Sequence, residues 1–274
     1  MDKSKAEAIR ARFGPWAVVT GASAGIGAEF ARKLAAYGLN LVLVARRRAA
    51  LEALGRELTE KHGIQHRIVE ADLSRPDATS TIEEETRDLA VGLLVSNAGT
   101  GFPGEFLRAS REELHEIVRL NALTTLDLAH AFCQRFVARS GGGLLLVGAL
   151  GGSEGIPLMA NAGATKAFVH SLGHALHVEL ARLGITVTVL IPGPTDTPVL
   201  KTFGIEKLPM KPMSVEQCVD EALDALVSGR PSVVPGRLVR LVTSVVPTSV
   251  ARRLQMQMFA NGIESKARHA LDSR

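Results

Sequence analysis

Near-continuous apolar runs alternating with helix-patterned segments constrain this chain more than any other feature. Ala17-Val18-Val19-Thr20 is a short β-branched run that ends in glycine, and beyond it, from Ala28 to Tyr37, apolar Phe30, Ala31 and Leu34 recur at helical spacing. The pattern then repeats. Residues 39–45 (LNLVLVA), 65–71 (QHRIVEA), 91–97 (VGLLVSN), 143–149 (GLLLVGA) and 185–193 (ITVTVLIPG) read as strands. Between them stand a helix carrying Leu51, Leu54 and Leu58, and helices over Asp77–Leu89, Arg111–Arg139 and Met159–Leu183. Strands that are apolar on both faces belong to a parallel sheet covered on both sides, so the expected fold is a doubly wound α/β sheet of the Rossmann type. Ligands of such sheets bind at the carboxyl ends of the strands, here Thr20, Ala45, Asp72, Asn97, Ala149 and Pro192.

With 274 residues, 46% of them hydrophobic, the chain is long enough for one such domain. We expect it over 15–230, after an N-terminal extension at 1–14 and before a C-terminal extension at 231–274. In that last segment prolines, arginines and apolar residues mix, and a helical stripe runs through Val250, Leu254 and Met258. It reads as a cover over a substrate mouth or a subunit interface. Its alternative is an amphipathic contact with a membrane surface through 235–260. The net charge of +4 is scattered apart from Arg46-Arg47-Arg48, and no nucleic-acid motif accompanies it. Cys133 and Cys218 are far apart and lack metal-ligand spacing, so neither a disulfide nor a metal is expected. No apolar leader or spanning stretch is evident, which fits a cytoplasmic setting.

TGASAGIG, Thr20 to Gly27, joins the first strand to the first helix. Glycines at that place let the backbone turn tightly and approach a pyrophosphate, whose charge the helix N-terminus favours. The spacing of Gly21, Gly25 and Gly27 departs from GxGxxG and resembles the TGxxxGIG signature of the short-chain dehydrogenase/reductase family. The resemblance can be followed from Trp16 to about Arg230. It implies a dinucleotide held by Gly21, Ser23, Gly25, Ile26 and Gly27. Asp72-Leu73 then resembles the family's adenine-contacting pair, Asn97-Ala98-Gly99 its NAG motif, and Pro192, Gly193 and Thr197 its loop at the nicotinamide carboxamide. At the end of the second strand, where NAD-selective members carry an acid, Ala45 is followed by Arg46 and Arg47. Guanidinium groups there favour the 2′-phosphate of NADP(H).

The family moves a hydride between nicotinamide and a carbonyl or alcohol carbon while a tyrosine hydroxyl handles the proton on oxygen. By the same resemblance Asn121 is the family's water-organising asparagine. Lys166 is the lysine that lowers the tyrosine pKa and holds the ribose. The tyrosine position, four before Lys166, holds Ala162, and the serine position thirteen further back holds Ala149. Neither Ser153, in a glycine loop, nor Asn161, whose amide is no acid, is an evident substitute. His170, His174 and His177 share a helical face and read as interface or core histidines.

The expected function is therefore an NADP(H)-binding protein of carbonyl/alcohol oxidoreductase type, impaired as written. Alternatives are a natural regulatory or partner subunit, an ordinary reductase into which the two alanines were introduced, or a chemistry that needs no hydroxyl donor. Apolar Leu200, Phe203, Ile205 and Met210 in the substrate loop point to a lipophilic carbonyl or alcohol ligand. The family resemblance makes a homo-oligomer the default, built through the helices that begin near Arg111 and Met159.

Overall fold

A parallel strand pair cannot be joined by a tight turn, so each strand here hands the chain to a helix or long crossover. The computed structural model describes residues 3–203, 205 and 211–272; Met210 of the substrate loop lies outside them. The order is α1 (Lys3–Phe13), β1 (Trp16–Thr20), α2 (Gly25–Ala36), β2 (Asn40–Ala45), α3 (Arg48–His62), β3 (His66–Glu70), α4 (Ala78–Glu85) and β4 (Val91–Ser96). There follow α5 (Arg111–Val118), α6 (Thr124–Ala138), β5 (Gly142–Val147), α7 (Ala160–Ala181), β6 (Ile185–Leu190) and α8 (Pro198–Thr202). The chain closes with α9 (Val215–Val227), β7 (Ser232–Val233), α10 (Arg237–Val245) and α11 (Thr248–Asp272).

The strands pair in parallel in the order β3-β2-β1-β4-β5-β6-β7. Sequence order reverses between β1 and β4, and a crevice opens at such a switch point, beyond the strand ends. Because side chains alternate along a strand, each face owns its own core. Ala17, Val19, Leu41 and Leu43 join Phe30, Leu34, Leu51 and Leu226 on one face, while Val18, Val42 and Val44 join Ile82, Leu128, Phe132 and Val169 on the other. The N-terminal segment takes part in this core. Ile9 and Phe13 of α1 are fully buried, and Arg12 donates to the Val227 carbonyl at 2.6 Å and to Thr186 Oγ1 at 2.8 Å. β7 adds its short strand just past residue 230.

Two helices differ from their sequence pattern. The helix expected to reach Leu89 stops at Glu85, where Thr86 Oγ1 turns back to the Ile82 carbonyl and Arg135 donates to the Thr86 and Leu89 carbonyls. The helix expected over Arg111–Arg139 is interrupted by one π turn, Arg119–Leu123, in which the Thr124 N–H reaches back to the Arg119 carbonyl. Cys133 and Cys218 are buried free thiols, and burial pushes them up to about 11 and about 12.

Candidate active site

At the end of β1 the chain turns through Gly21 and Gly25, both with positive φ, which is the conformation glycine adopts without strain. A Cβ on Gly27 would collide with the Gly21 carbonyl, so this turn closes only around hydrogen. A Cβ on Gly25 would lie 3.1 Å from the Thr197 methyl, which places Thr197 of the β6–α8 loop directly over the glycine turn. Asn97 secures the other side. Its Nδ2 donates to the Thr20 carbonyl at 2.9 Å, and the N–H groups of Asn97 and Ala98 both donate to Thr20 Oγ1. The ends of β1 and β4 are thereby clamped across the switch point.

Arg47, one residue before α3, folds back so that its Nη2 donates to the Ser23 carbonyl at 3.0 Å and to Ser23 Oγ at 3.1 Å. Arg46 beside it is exposed. Asp72 accepts two bonds from Ser74. Although burial pulls its carboxyl upward, these bonds and the nearby Arg46 and Arg75 hold it below the usual range. Leu73 is fixed through its carbonyl, which accepts from Thr124 Oγ1 at 2.6 Å. Pro192 accepts from the Leu150 N–H at 3.0 Å, and Gly193 has Leu150 and Val239 within van der Waals reach of any added Cβ. Ile26 packs half-buried against the core beside these groups.

Asn121 sits in the π turn, fully buried, and both ends of its amide are engaged. Oδ1 accepts from the Thr100 N–H at 2.9 Å, while Nδ2 donates to the Thr100 carbonyl at 2.8 Å and to Thr165 Oγ1 at 3.0 Å. The widened turn brings the α5–α6 junction, the loop after β4 and α7 to one point. Lys166 lies next to it: its Nζ donates to the Val147 carbonyl at 2.8 Å, and a Cβ on Gly99 would come within 3.0 Å of that ammonium. Burial pulls Lys166 down to about 8.

Ala149 and Ala162 present only methyl groups to this region. Ala162 is 6% exposed and belongs to an apolar cluster with Ile117, Met159, Ile205 and Phe259, against which Ile156, Leu200 and Phe203 also pack. The Met159 methyl closes on Gly101, where a Cβ would also lie 3.2 Å from that of Ala162. Phe259 brings α11 onto this cluster. One turn earlier on the same helix, Gln255 approaches Gly151, and its Oε1 is a buried acceptor with no hydrogen-bond partner among the described residues. Sequence reasoning missed Phe259 as a neighbour of Ala162 and Gln255 as a neighbour of Gly151; only their spacing of four marks a helical face there.

The histidines diverge. His170 is buried beneath the end of β5, where its Nε2 accepts from the Ala149 N–H at 3.3 Å, and Cβ atoms on Gly148 or Gly152 would collide with its ring. Burial, then His174 and Lys166, hold the imidazole down at about 4. His177 donates from Nδ1 to the Val187 carbonyl at 2.8 Å, and His174 is exposed. Among the described residues no group of three metal-ligating side chains comes together. Asn161 donates to the Leu114 carbonyl and ties α7 to α5. The side chain of Ser153 lies outside the described residues. The chain's single tyrosine, Tyr37, is buried at the end of α2 beside Lys5, Lys33 and Asp220, and its burial raises its pKa.

The profile of the family described as short chain dehydrogenase matches residues 15–207. The 7beta-hydroxysteroid dehydrogenase of Collinsella aerofaciens is 31% identical over 227 residues, covering 80% of this chain and 85% of that protein. Among solved structures, a short-chain dehydrogenase from Sphingobium yanoikuyae in complex with NADPH superimposes with a TM-score of 0.78 at 32% identity, over 85% of this chain and 97% of its own. A 7beta-hydroxysteroid dehydrogenase superimposes with a TM-score of 0.82 at 29% identity, over 90% and 98%.

Proposed function

The chain belongs to the short chain dehydrogenase family, and from that premise we propose that it is an NADP(H)-binding member that lacks the family's usual proton donor. The observation that carries this reading is a contrast within one site. The glycine turn, its clamps and the Arg47–Ser23 contact are intact, while Ala149 and Ala162 offer methyl groups where the family places serine and tyrosine.

The cradle fits a dinucleotide. Gly21, Gly25 and Gly27 leave backbone without side chains at an N-terminus of α2, which suits a pyrophosphate. Ser23, Arg46 and Arg47 would hold the 2′-phosphate end, and Asp72 and Leu73 the adenine. Asn97, Ala98 and Gly99 line the middle, and Pro192, Gly193 and Thr197 lie where the carboxamide would be held. The NADPH complex of the relative from Sphingobium yanoikuyae supports the same cofactor. When bound, such a cofactor supplies a hydride. Lys166 would then exchange the Val147 carbonyl for ribose hydroxyls, and Asn121 would keep the junction around Thr100 and Thr165 in place.

What the residues cannot do is move a proton onto a substrate oxygen through Ala149 or Ala162. A positioned acid contributes about 10²- to 10⁴-fold, so slow turnover with water as donor is the ceiling for ordinary carbonyl reduction. Tyr37 is on the wrong side of the sheet to replace it. Ala162 is packed under Met159 and Phe259, which favours the alanines as a settled part of this protein over a recent exchange in an ordinary reductase. The apolar cluster and the hydroxysteroid dehydrogenase relative favour a lipophilic ligand. The C-terminal segment is proposed to cover it through Phe259 of α11. Exposed Leu123 at the end of the π turn, Leu126 on α6, and Phe168 and Val178 on α7 suit a homo-oligomer.

NADPH binding followed by fluorescence and thermal shift, alongside NADPH consumption over a panel of ketones and aldehydes, tests the reading. Binding without consumption is expected. No binding removes the cofactor claim, and brisk consumption removes the impairment.

A further inference from the structure

We propose that the exposed face of α10 docks this protein on an anionic lipid surface. Leu238, Leu241, Val242 and Val245 recur at the spacing of one helical face, and they are 60%, 60%, 38% and 69% exposed. The helix is held from its other side: Val239 lies against Gly193, and Arg240 donates to Glu221 and to the Val234 carbonyl, each at 2.8 Å. Nothing among the described residues covers the apolar face. α11 adds exposed Val250 and Leu254, one turn apart.

Charge selects the occupant. Between Asp224 and Glu264 the chain carries Arg230, Arg237, Arg240, Arg252 and Arg253 and not one lysine or carboxylate. Arg237 and Arg253 are exposed on the two helices that bear the apolar residues. A second copy meeting this face isologously would set arginines against arginines with no acid to pair them. A nucleic acid would find aliphatic side chains where it needs stacking rings. An anionic bilayer meets both requirements at once, apolar contact inward and phosphate at the rim. No described helix is long and apolar enough to cross a membrane, and α10, about 13 Å long, fits lying in the interface plane.

The position has a functional sense that rests on the lipophilic ligand proposed above. The same two helices pack beside the site, Val239 at Gly193 and Phe259 at Ala162. A ligand dissolved in the bilayer would reach that apolar cluster without crossing water.

The full chain is sedimented with vesicles of phosphatidylcholine alone and of phosphatidylcholine with phosphatidylglycerol in equal parts. Binding to the anionic vesicles that weakens as salt rises, with little binding to the neutral ones, is the expected result. Leu241→Glu with Val245→Glu should reduce binding by about ten-fold or more. Arg237→Glu with Arg253→Glu should reduce it by at least about five-fold per arginine. These side chains are exposed, so unfolding temperature and NADPH response should match the parent. Absence of sedimentation, or sedimentation undiminished in both variants, overturns the proposal. So does a fall in molar mass of the Leu241→Glu, Val245→Glu variant by light scattering, which would assign the face to a second copy. A chain that binds anionic vesicles but gives no NADPH response supports docking and defeats only the cofactor reading.

Discussion

The ammonium of Lys166 donates to the carbonyl of Val147, 2.8 Å away, at the point where β5 leaves the sheet. Burial holds it at about 8, below the ordinary lysine value, so the folded protein carries a cation it would rather release. Between about 8 and the unfolded value of about 10.4, the unfolded chain binds the extra proton, and stability of the free protein rises with pH across that window. A ligand that uses the charged form behaves oppositely. NADPH affinity should be level below neutrality and fall above pH 8, up to about ten-fold per unit until cofactor contacts restore the proton. Lys166→Met should weaken NADPH about 10- to 100-fold at pH 7 and remove this slope, as fluorescence titration across pH would read.

His170 follows the same rule at the acid end of the scale. Its folded value of about 4 is below the ordinary histidine value, so the unfolded chain gains the proton first as pH drops. Stability should therefore decline from about pH 6.5 towards 4, by roughly 3 kcal/mol in total. His170→Gln should flatten that part of the denaturation profile while leaving the region above pH 7 little changed.

The proposed cofactor site gives Arg46 and Arg47 the choice between NADPH and NADH. Arg46→Ala with Arg47→Ala should lower NADPH affinity about 10- to 100-fold and leave NADH within a few-fold, since only the former offers a 2′-phosphate to a guanidinium. Equal losses for both cofactors would mean that Arg47 acts by holding the Ser23 loop.

Restoring the missing hydroxyls should separate chemistry from packing. Ala149 is half-exposed and accepts a serine, but Ala162 is enclosed by Met159, Ile205 and Phe259. Ala162→Tyr should destabilise the protein by about 1–3 kcal/mol, read by denaturant titration. Together with Ala149→Ser it should raise NADPH-dependent ketone reduction at least about 100-fold over the parent. A double variant that binds NADPH and stays silent would mean that the packed apolar cluster does not admit a carbonyl substrate.

Gly27→Ala tests the turn itself. Its methyl would meet the Gly21 carbonyl, a rigid backbone neighbour, so a loss of about 1–3 kcal/mol and of NADPH binding is expected.

Features governed by local chemistry were legible in the sequence. The seven-residue frame from Gly21 to Gly27 and the Asn97-Ala98-Gly99 run announce themselves because the positive φ of Gly21 and Gly25 and the side-chain clamp of Asn97 each call for one residue type. What was not legible depends on partners distant along the chain. Nothing in RLNAL marks a π turn, because its cause is Asn121 reaching Thr100 and Thr165. The early end of α4 depends on Arg135, two helices later on α6. The fold of Arg47 onto Ser23 and the arrival of Phe259 at Ala162 are likewise tertiary events, invisible to periodicity.

Gly148, Gly152 and His170 occupy one small volume, and none of the glycines can gain a side chain while the imidazole stays. The three positions are thus a single heritable character. A descendant could not acquire a larger residue at 148 in one viable step; His170 would have to shrink first, releasing the Ala149 N–H to another acceptor, and at 152 the Lys166 Cβ and backbone would still stand in the way. Among relatives, the identity of the residue four places after the lysine should therefore forecast which residues border Ala149, and departures from that association would mark lineages where this strand end has been rebuilt.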